Sequence, residues 1–204
     1  MLTTVTMRAP RKHASARPWG EGLLQALLLL VAATFASPAH SQTAAPSLLT
    51  NGGFENGVAG WTQFGHVEIA QWAKETGTAG ATMQGWVLNA EGGFFQDVSG
   101  APGMTYTFSA RAKKEALFQA AKVYVTLEFY TADKVTKAGH NQGTLNVSTL
   151  LTTNWQTFTI SGTAPLGTVY VRPVIRFEGA TSGDLGTGKQ ACFWDNAELI
   201  ASGP

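Results

Sequence analysis

The chain has 204 residues, a formal net charge of +1, 13% charged residues, 23 glycines and a single cysteine. That length supports one domain with a sizeable core, and one cysteine excludes an internal disulfide framework. With so little net charge and no basic stripe, nucleic acid is excluded as an expected partner.

The N-terminal segment is read as a targeting signal. Arg8, Arg11, Lys12 and Arg17 precede the apolar run Leu23 to Phe35, and Ala36, Ala39 and Ser41 supply the small residues of a cleavage site. The run is shorter than the roughly 20 residues of a spanning helix. Residues 1–41 therefore read as a secretory signal peptide, with an uncleaved membrane anchor as the alternative. Cleavage removes four of the 14 basic and one of the 13 acidic residues, taking the net charge from +1 to −2. The expected product is a secreted monomer, extracellular or periplasmic and free of the membrane. It has a short linker, 42–47, and one domain, 48–204.

Beyond the signal, short runs rich in Val, Thr, Tyr, Phe and Trp alternate with Gly, Pro, Asn and Asp clusters, the pattern of an all-β sandwich. The predicted strands are Leu48 to Glu55, Thr62 to Ala73, Ala81 to Asn89, Gly93 to Val98, Thr105 to Lys113, Lys122 to Thr131, Trp155 to Thr163, Val169 to Phe177 and Ala191 to Ile200. Lys114 to Lys122 is compatible with one helical turn, and Gly179 to Gln190 reads as a long loop. Alternation assigns faces. Tyr106, Phe108, Ala110 and Ala112 point inward, as do Val123, Val125, Leu127 and Phe129, and Val169, Val171, Pro173, Ile175 and Phe177. Cys192 alternates with aromatic residues, which favours a buried free thiol over an intermolecular bridge.

The stretches "LLTNGGFENGVAGWT", "GGFFQDVSGAPGMTYTFSARAK", "NWQTFTISGTAP" and "FWDNAEL" occur in that order over Leu48 to Ile200. Together they resemble the landmarks of carbohydrate-binding modules of families four, nine and twenty-two, which share a galactose-binding-like β-jelly roll. The resemblance implies two packed antiparallel sheets, in agreement with the alternation. It also implies a structural calcium between the first and last strands, held here by Glu55 and Asp195, with backbone carbonyls completing the six to eight oxygens calcium takes. Asn196 stands where many members have a second aspartate. The alternative is that both carboxylates accept hydrogen bonds from backbone amides.

In such modules a concave sheet carries the ligand groove. The outward residues that the resemblance brings to that role are Trp86, Arg111, Tyr124, Glu128, Tyr130, Arg172, Arg176 and Glu178. Aromatic plates stack on sugar C–H faces and charged groups bond the hydroxyl rim. The charged members also suit a solvated cross-strand ion-pair ladder. Trp61, Trp155 and Trp194 are expected in the core or at sheet edges, with Trp72 exposed, and His66 and His140 are ordinary surface residues. The function expected is a non-catalytic binder of a polysaccharide or oligosaccharide. A polysaccharide lyase or glycoside hydrolase on the same fold, or a matrix or adhesion protein, remain open alternatives. For hydrolysis only Glu128 and Glu178 offer a carboxylate pair on one face.

Overall fold

The computed structural model describes residues 45–139 and 143–203; the signal segment and His140 lie outside them. Among the described residues there are eleven strands in chain order: β1 Thr62–Gly65, β2 Val67–Ala70, β3 Gly80–Gln84, β4 Gly92–Phe95, β5 Val98–Ser99, β6 Thr105–Lys114, β7 Ala120–Tyr130, β8 Gly143–Asn146, β9 Gln156–Thr163, β10 Tyr170–Ala180 and β11 Ala191–Ser202. The first sheet runs β1-β4-β10-β7-β8, with β5 on the edge of β10, and the second runs β2-β3-β11-β6-β9. Every pairing is antiparallel. The molecule is a two-sheet β-sandwich of the jelly-roll class.

The alternation of the three long strands is realised. Phe108, Val125, Leu127, Phe129, Ile175 and Phe177 are sealed between the sheets with Phe54, Phe94 and Trp194. Side chains of this size contribute roughly 1.5–3 kcal/mol each on burial. Cys192 is free and fully buried among them, and burial pushes its thiol pKa upward. Val169, expected inward, is half exposed because it precedes the first rung of β10.

Other expectations are corrected. The predicted strand Thr62 to Ala73 is two strands on different sheets, β1 and β2, followed by a single 3-10 turn, Gln71–Ala73. The break lies at Gly65, whose φ of 67° is left-handed and whose missing Cβ leaves room for the Glu91 carbonyl. Leu48 to Glu55 forms no strand, because Asn51 and Phe54 both have positive φ and turn the chain. The Asn51 side chain organises that turn. Its amide donates to the carbonyls of Gly57 and Ala59, and its Oδ1 accepts from the Asn56 N–H. Phe54 then stacks on Trp61 at 5.0 Å, and Gly52 lies against the Ala197 carbonyl, where a side chain would collide. The segment between β6 and β7 is a turn without a helix, and β8 escaped prediction.

Phe108 makes the core assignment testable. Phe108→Ala is expected to lower stability by about 3–5 kcal/mol, read as a shifted urea midpoint with an unchanged slope.

Candidate functional site

The outer face of the first sheet forms an open groove of about 450 Å³ lined from β1, β4, β7, β8 and β10. Register dictates its layout. Arg176 lies opposite Tyr124 on β7 and Gly93 on β4, and Gly93 in turn lies opposite Phe64 on β1. The next outward row is Phe95, Val174, Thr126 and Thr144, and the row beyond pairs Arg172 with Glu128. At the other end Glu178 faces Lys122.

Its charged groups are tied to one another. Arg172 donates from Nε to Asp97 Oδ1 at 2.7 Å and from Nη2 to Asp97 Oδ2 at 3.2 Å, a bidentate pair. Its guanidinium lies between two rings, 4.4 Å from Phe95 and 4.2 Å from Tyr130. Asp97 is free for this role because the edge strand is interrupted there. Rungs at Val174–Phe95 and Val171–Val98 leave Gln96 and Asp97 between β4 and β5. Opposite them sits Pro173, which has no N–H to give a ladder. Glu128 accepts from the Tyr130 hydroxyl at 2.8 Å and from Lys137 Nζ at 2.9 Å. Burial, reinforced by that bond to Glu128, raises the Tyr130 pKa to about 12, so the phenol stays protonated and donating. Arg176 pairs with Glu178 at 2.5 Å and Lys122 lies 3.9 Å from the same carboxylate.

Five of the eight expected ligand residues, Tyr124, Glu128, Arg172, Arg176 and Glu178, therefore meet in this groove. Three do not line it. Tyr130 is on the same sheet but 6% exposed, and Arg172 covers its ring, so it positions Glu128 and Arg172 instead of offering an open plate. Arg111 belongs to β6 of the second sheet, and Trp86 follows β3 of that sheet. Alternation identified both correctly as outward, but outward from the other layer. The aromatic walls missed from sequence are Phe64 and Phe95, whose strands are only four residues long.

Arg111 works inside a loop network. It grips Glu75 with Nε, at 2.7 Å, and Nη2, while Nη1 donates to Thr157 Oγ1 at 3.1 Å. Asn196 Nδ2 also donates to Glu75, and Thr76 Oγ1 donates to Asn196 Oδ1. At the register shift of β11, Asp195 is fully buried. It accepts from the N–H groups of Glu75 at 2.8 Å, Thr76 at 3.1 Å and Asn196 at 2.7 Å. Burial nevertheless raises its pKa, and the negative charge of Glu55 adds to the rise. Glu55 accepts from the backbone and hydroxyl of Thr78 at 2.7 and 2.5 Å, and these bonds lower its pKa. Both carboxylates thus accept hydrogen bonds from backbone amides.

As donors for calcium these residues fit in kind. Asp195 Oδ1 and Asn196 Oδ1 approach one point above Gly53, where a Cβ would lie 3.8 and 3.9 Å from them, and the Glu55 side chain passes 3.8 Å from it. All are hard oxygen donors or carry one, and the two carboxylates repel each other in the absence of a cation. Among the described residues no group of three or more His, Cys, Asp or Glu side chains is arranged for a metal, so the remaining ligands would be amide, carbonyl or water oxygens.

Fold and groove together define a two-sheet β-sandwich with an open groove of aromatic and paired charged side chains on one outer face. Residues 46–176 match the family described as "Carbohydrate binding domain", and the chain belongs to that family. No curated protein matches it. Among solved structures it is similar to a family 16 carbohydrate binding module, with 22% identity, TM-score 0.57, and coverage of 76% of this chain and 99% of that one. It is also similar to TmCBM61 in complex with beta-1,4-galactotriose, with 18% identity, TM-score 0.53, and coverage of 78% and 100%. A third is the Clostridium thermocellum xylanase 10B CBM22-1-GH10 structure complexed with xylohexaose, with 12% identity and TM-score 0.53, where 78% of this chain matches 29% of that one.

The Arg111–Glu75 pair gives a pH prediction. The bond from Arg111 holds the Glu75 pKa below its ordinary value of 4.5. A depressed folded-state pKa contributes stability that is present above the unfolded pKa and lost as pH falls through the folded one. Arg111→Gln should therefore be less stable than wild type at neutral pH, with the difference narrowing below pH 4.5 in urea melts.

Proposed function

We propose that the chain is a secreted, non-catalytic carbohydrate-binding protein that holds a polysaccharide or oligosaccharide in the groove of the first sheet. The observation that carries this reading is the groove itself. Half-buried Phe64 and Tyr124 line it, with Arg176 and Lys122 near one face of each ring, beside guanidinium and carboxylate groups already fixed by their mutual pairs. Sugars need that combination, apolar plates for C–H faces and rigid polar groups for hydroxyls. Family membership supports it, as do the saccharides in the two complexes named above. Secretion rests on the basic, apolar and small-residue pattern of 1–41, and a monomer is proposed for the exported form.

The carboxylate spacing favours binding over hydrolysis. Glu128 lies opposite Arg172 and Glu178 lies six residues further along β10. At about 3.3 Å per residue that places them about 20 Å apart along the strand. Glycosidase pairs stand roughly 5–10 Å apart. Each glutamate is also engaged by a cation, Glu128 by Lys137 and Glu178 by Arg176.

A glycan array probed with the exported protein is the test. Tyr124→Ala should weaken capture of the best glycan by about 1–3 kcal/mol with little change in melting temperature. Absence of capture across the array would remove the reading. Depolymerisation of a polysaccharide by wild type that Glu128→Gln or Glu178→Gln abolishes, with binding intact, would replace it with an enzyme.

We further propose that Glu55 and Asp195, with Asn196 Oδ1, hold a structural calcium that ties the N-terminal turn to β11. Calcium should then raise the melting temperature and chelator lower it, and Asp195→Asn should abolish the difference. Equal melting in calcium and chelator would leave backbone amides as the sole partners of these carboxylates.

A further inference from the structure

A second cleft, of about 350 Å³, opens at the end of the second sheet between Trp72 and Trp86, with Glu115, Asp184 and Gln190 completing its wall. We propose that it is a second saccharide site, taking one neutral pyranose unit. The inference rests on the protein being a glycan binder and adds a site that the groove does not contain.

The two indoles are held in place by different means. Trp72 rises from the 3-10 turn after β2 and meets Phe193 edge-on, with ring centroids 5.5 Å apart and planes at 81°. It remains 55% exposed, an unusual state for a tryptophan that is anchored on one side. Trp86 stands on the turn after β3, half-buried. That turn is fixed by the Gly85 N–H donating to the Gln190 carbonyl at 2.9 Å, and by Ser182 Oγ donating to the Gly85 carbonyl at 2.8 Å.

The polar wall is equally constrained. Gln190 is fully buried; its Oε1 accepts from the Leu185 N–H at 3.0 Å and its Nε2 donates to the Gly183 carbonyl, so the amide closes the loop that carries Asp184. Glu115 is locked to β11, its N–H donating to the Ala191 carbonyl and its Oε2 accepting from the Ala191 N–H, both at 2.8 Å. Asp184 Oδ1 accepts from the Gly186 N–H at 2.8 Å. What remains are carboxylate oxygens, acceptors suited to hydroxyl donors. Lys113, Lys114 and Lys189 line the adjoining recess that shares Glu115. They offset the acidic pair and disfavour a cationic occupant, leaving a neutral ring with an apolar face and a hydroxyl rim as the complement of this wall.

Indole N–H signals of the 15N-labelled protein report the cleft without any variant, with Trp72 and Trp86 assigned from Trp72→Phe and Trp86→Phe. Xylohexaose, β-1,4-galactotriose and cellohexaose serve as probes, each titrated to ~10 mM so that millimolar binding is seen. The expected result is a saturable shift of the Trp72 and Trp86 signals that persists in Tyr124→Ala, whose groove is impaired. Trp72→Ala should weaken that cleft-binding event by at least about tenfold and leave backbone shifts around Tyr124 intact. Shifts at the groove with none at Trp72 and Trp86 would overturn the second site and leave the groove reading standing. Shifts at the cleft alone would keep the second site and overturn the groove. Silence at both with all three probes would overturn both.

Discussion

The antiparallel pairing of β7 with β10 is the constraint on which the rest of the structure depends. Its rungs run from Tyr170–Tyr130 to Ala180–Ala120, joining the two long central strands of the first sheet. One face of these strands supplies Val125, Leu127, Phe129, Ile175 and Phe177 to the core, and the other supplies Tyr124, Glu128, Arg172 and Arg176 to the groove. A slip of one residue would exchange the two sets, driving two arginines into a core and five apolar side chains into water. Core packing therefore enforces the register, and the groove inherits its geometry from residues it never touches.

Within that frame, the groove's electrostatics are settled before any ligand arrives. Arg172 is bracketed by rings and held by Asp97 through Nε and Nη2, with Nη2 also donating to the Lys134 carbonyl, and Glu128 accepts from a phenol and an ammonium. Ion pairs this close to solvent contribute little to stability, on the order of 1 kcal/mol or less. Their effect is on geometry, because a planar guanidinium fixed by three hydrogen bonds and two rings has little rotamer freedom left to lose. A saccharide in the proposed role would exchange water at these groups without breaking the pairs, so each contact would be modest and affinity would grow with the number of units spanned along the strand.

How much of this was legible in the sequence depends on what alternation can encode. Period two fixes a residue's face, and it placed Phe108, Leu127 and Ile175 inward and Tyr124, Arg172 and Arg176 outward, as observed. It does not encode which sheet a strand joins. Arg111 and Trp86 carried the right outward signal, yet β6 and β3 pair with β11, in the layer facing away from the groove. Strand length was the second limit. Phe64 and Phe95 sit on runs too short to show a period, and Gly65 splits one apparent strand between the two sheets through a backbone angle invisible to side-chain pattern. The turn at Asn51 was hidden for a related reason, since Leu49 and Phe54 of "SLLTNGGFE" reach the core through a turn with left-handed φ at Asn51 and Phe54 instead of through strand pleat.

The Asp195 knot illustrates the opposite case, in which a residue was conspicuous in sequence but its burial and its backbone partners were not. A carboxylate buried completely at a strand irregularity opposes its own ionisation, and its three backbone donors work against that cost. Those donors come from the loop before β3 and from β11 itself, so the same oxygens that satisfy the charge also fasten two distant segments. Glu55 does likewise for the N-terminal turn through Thr78, and its charge pushes Asp195 further toward protonation. Two like charges brought together by separate amide networks leave a local field that a divalent cation would relieve. The amides explain why the carboxylates can be held there; their mutual repulsion supplies the electrostatic reason for the proposed cation.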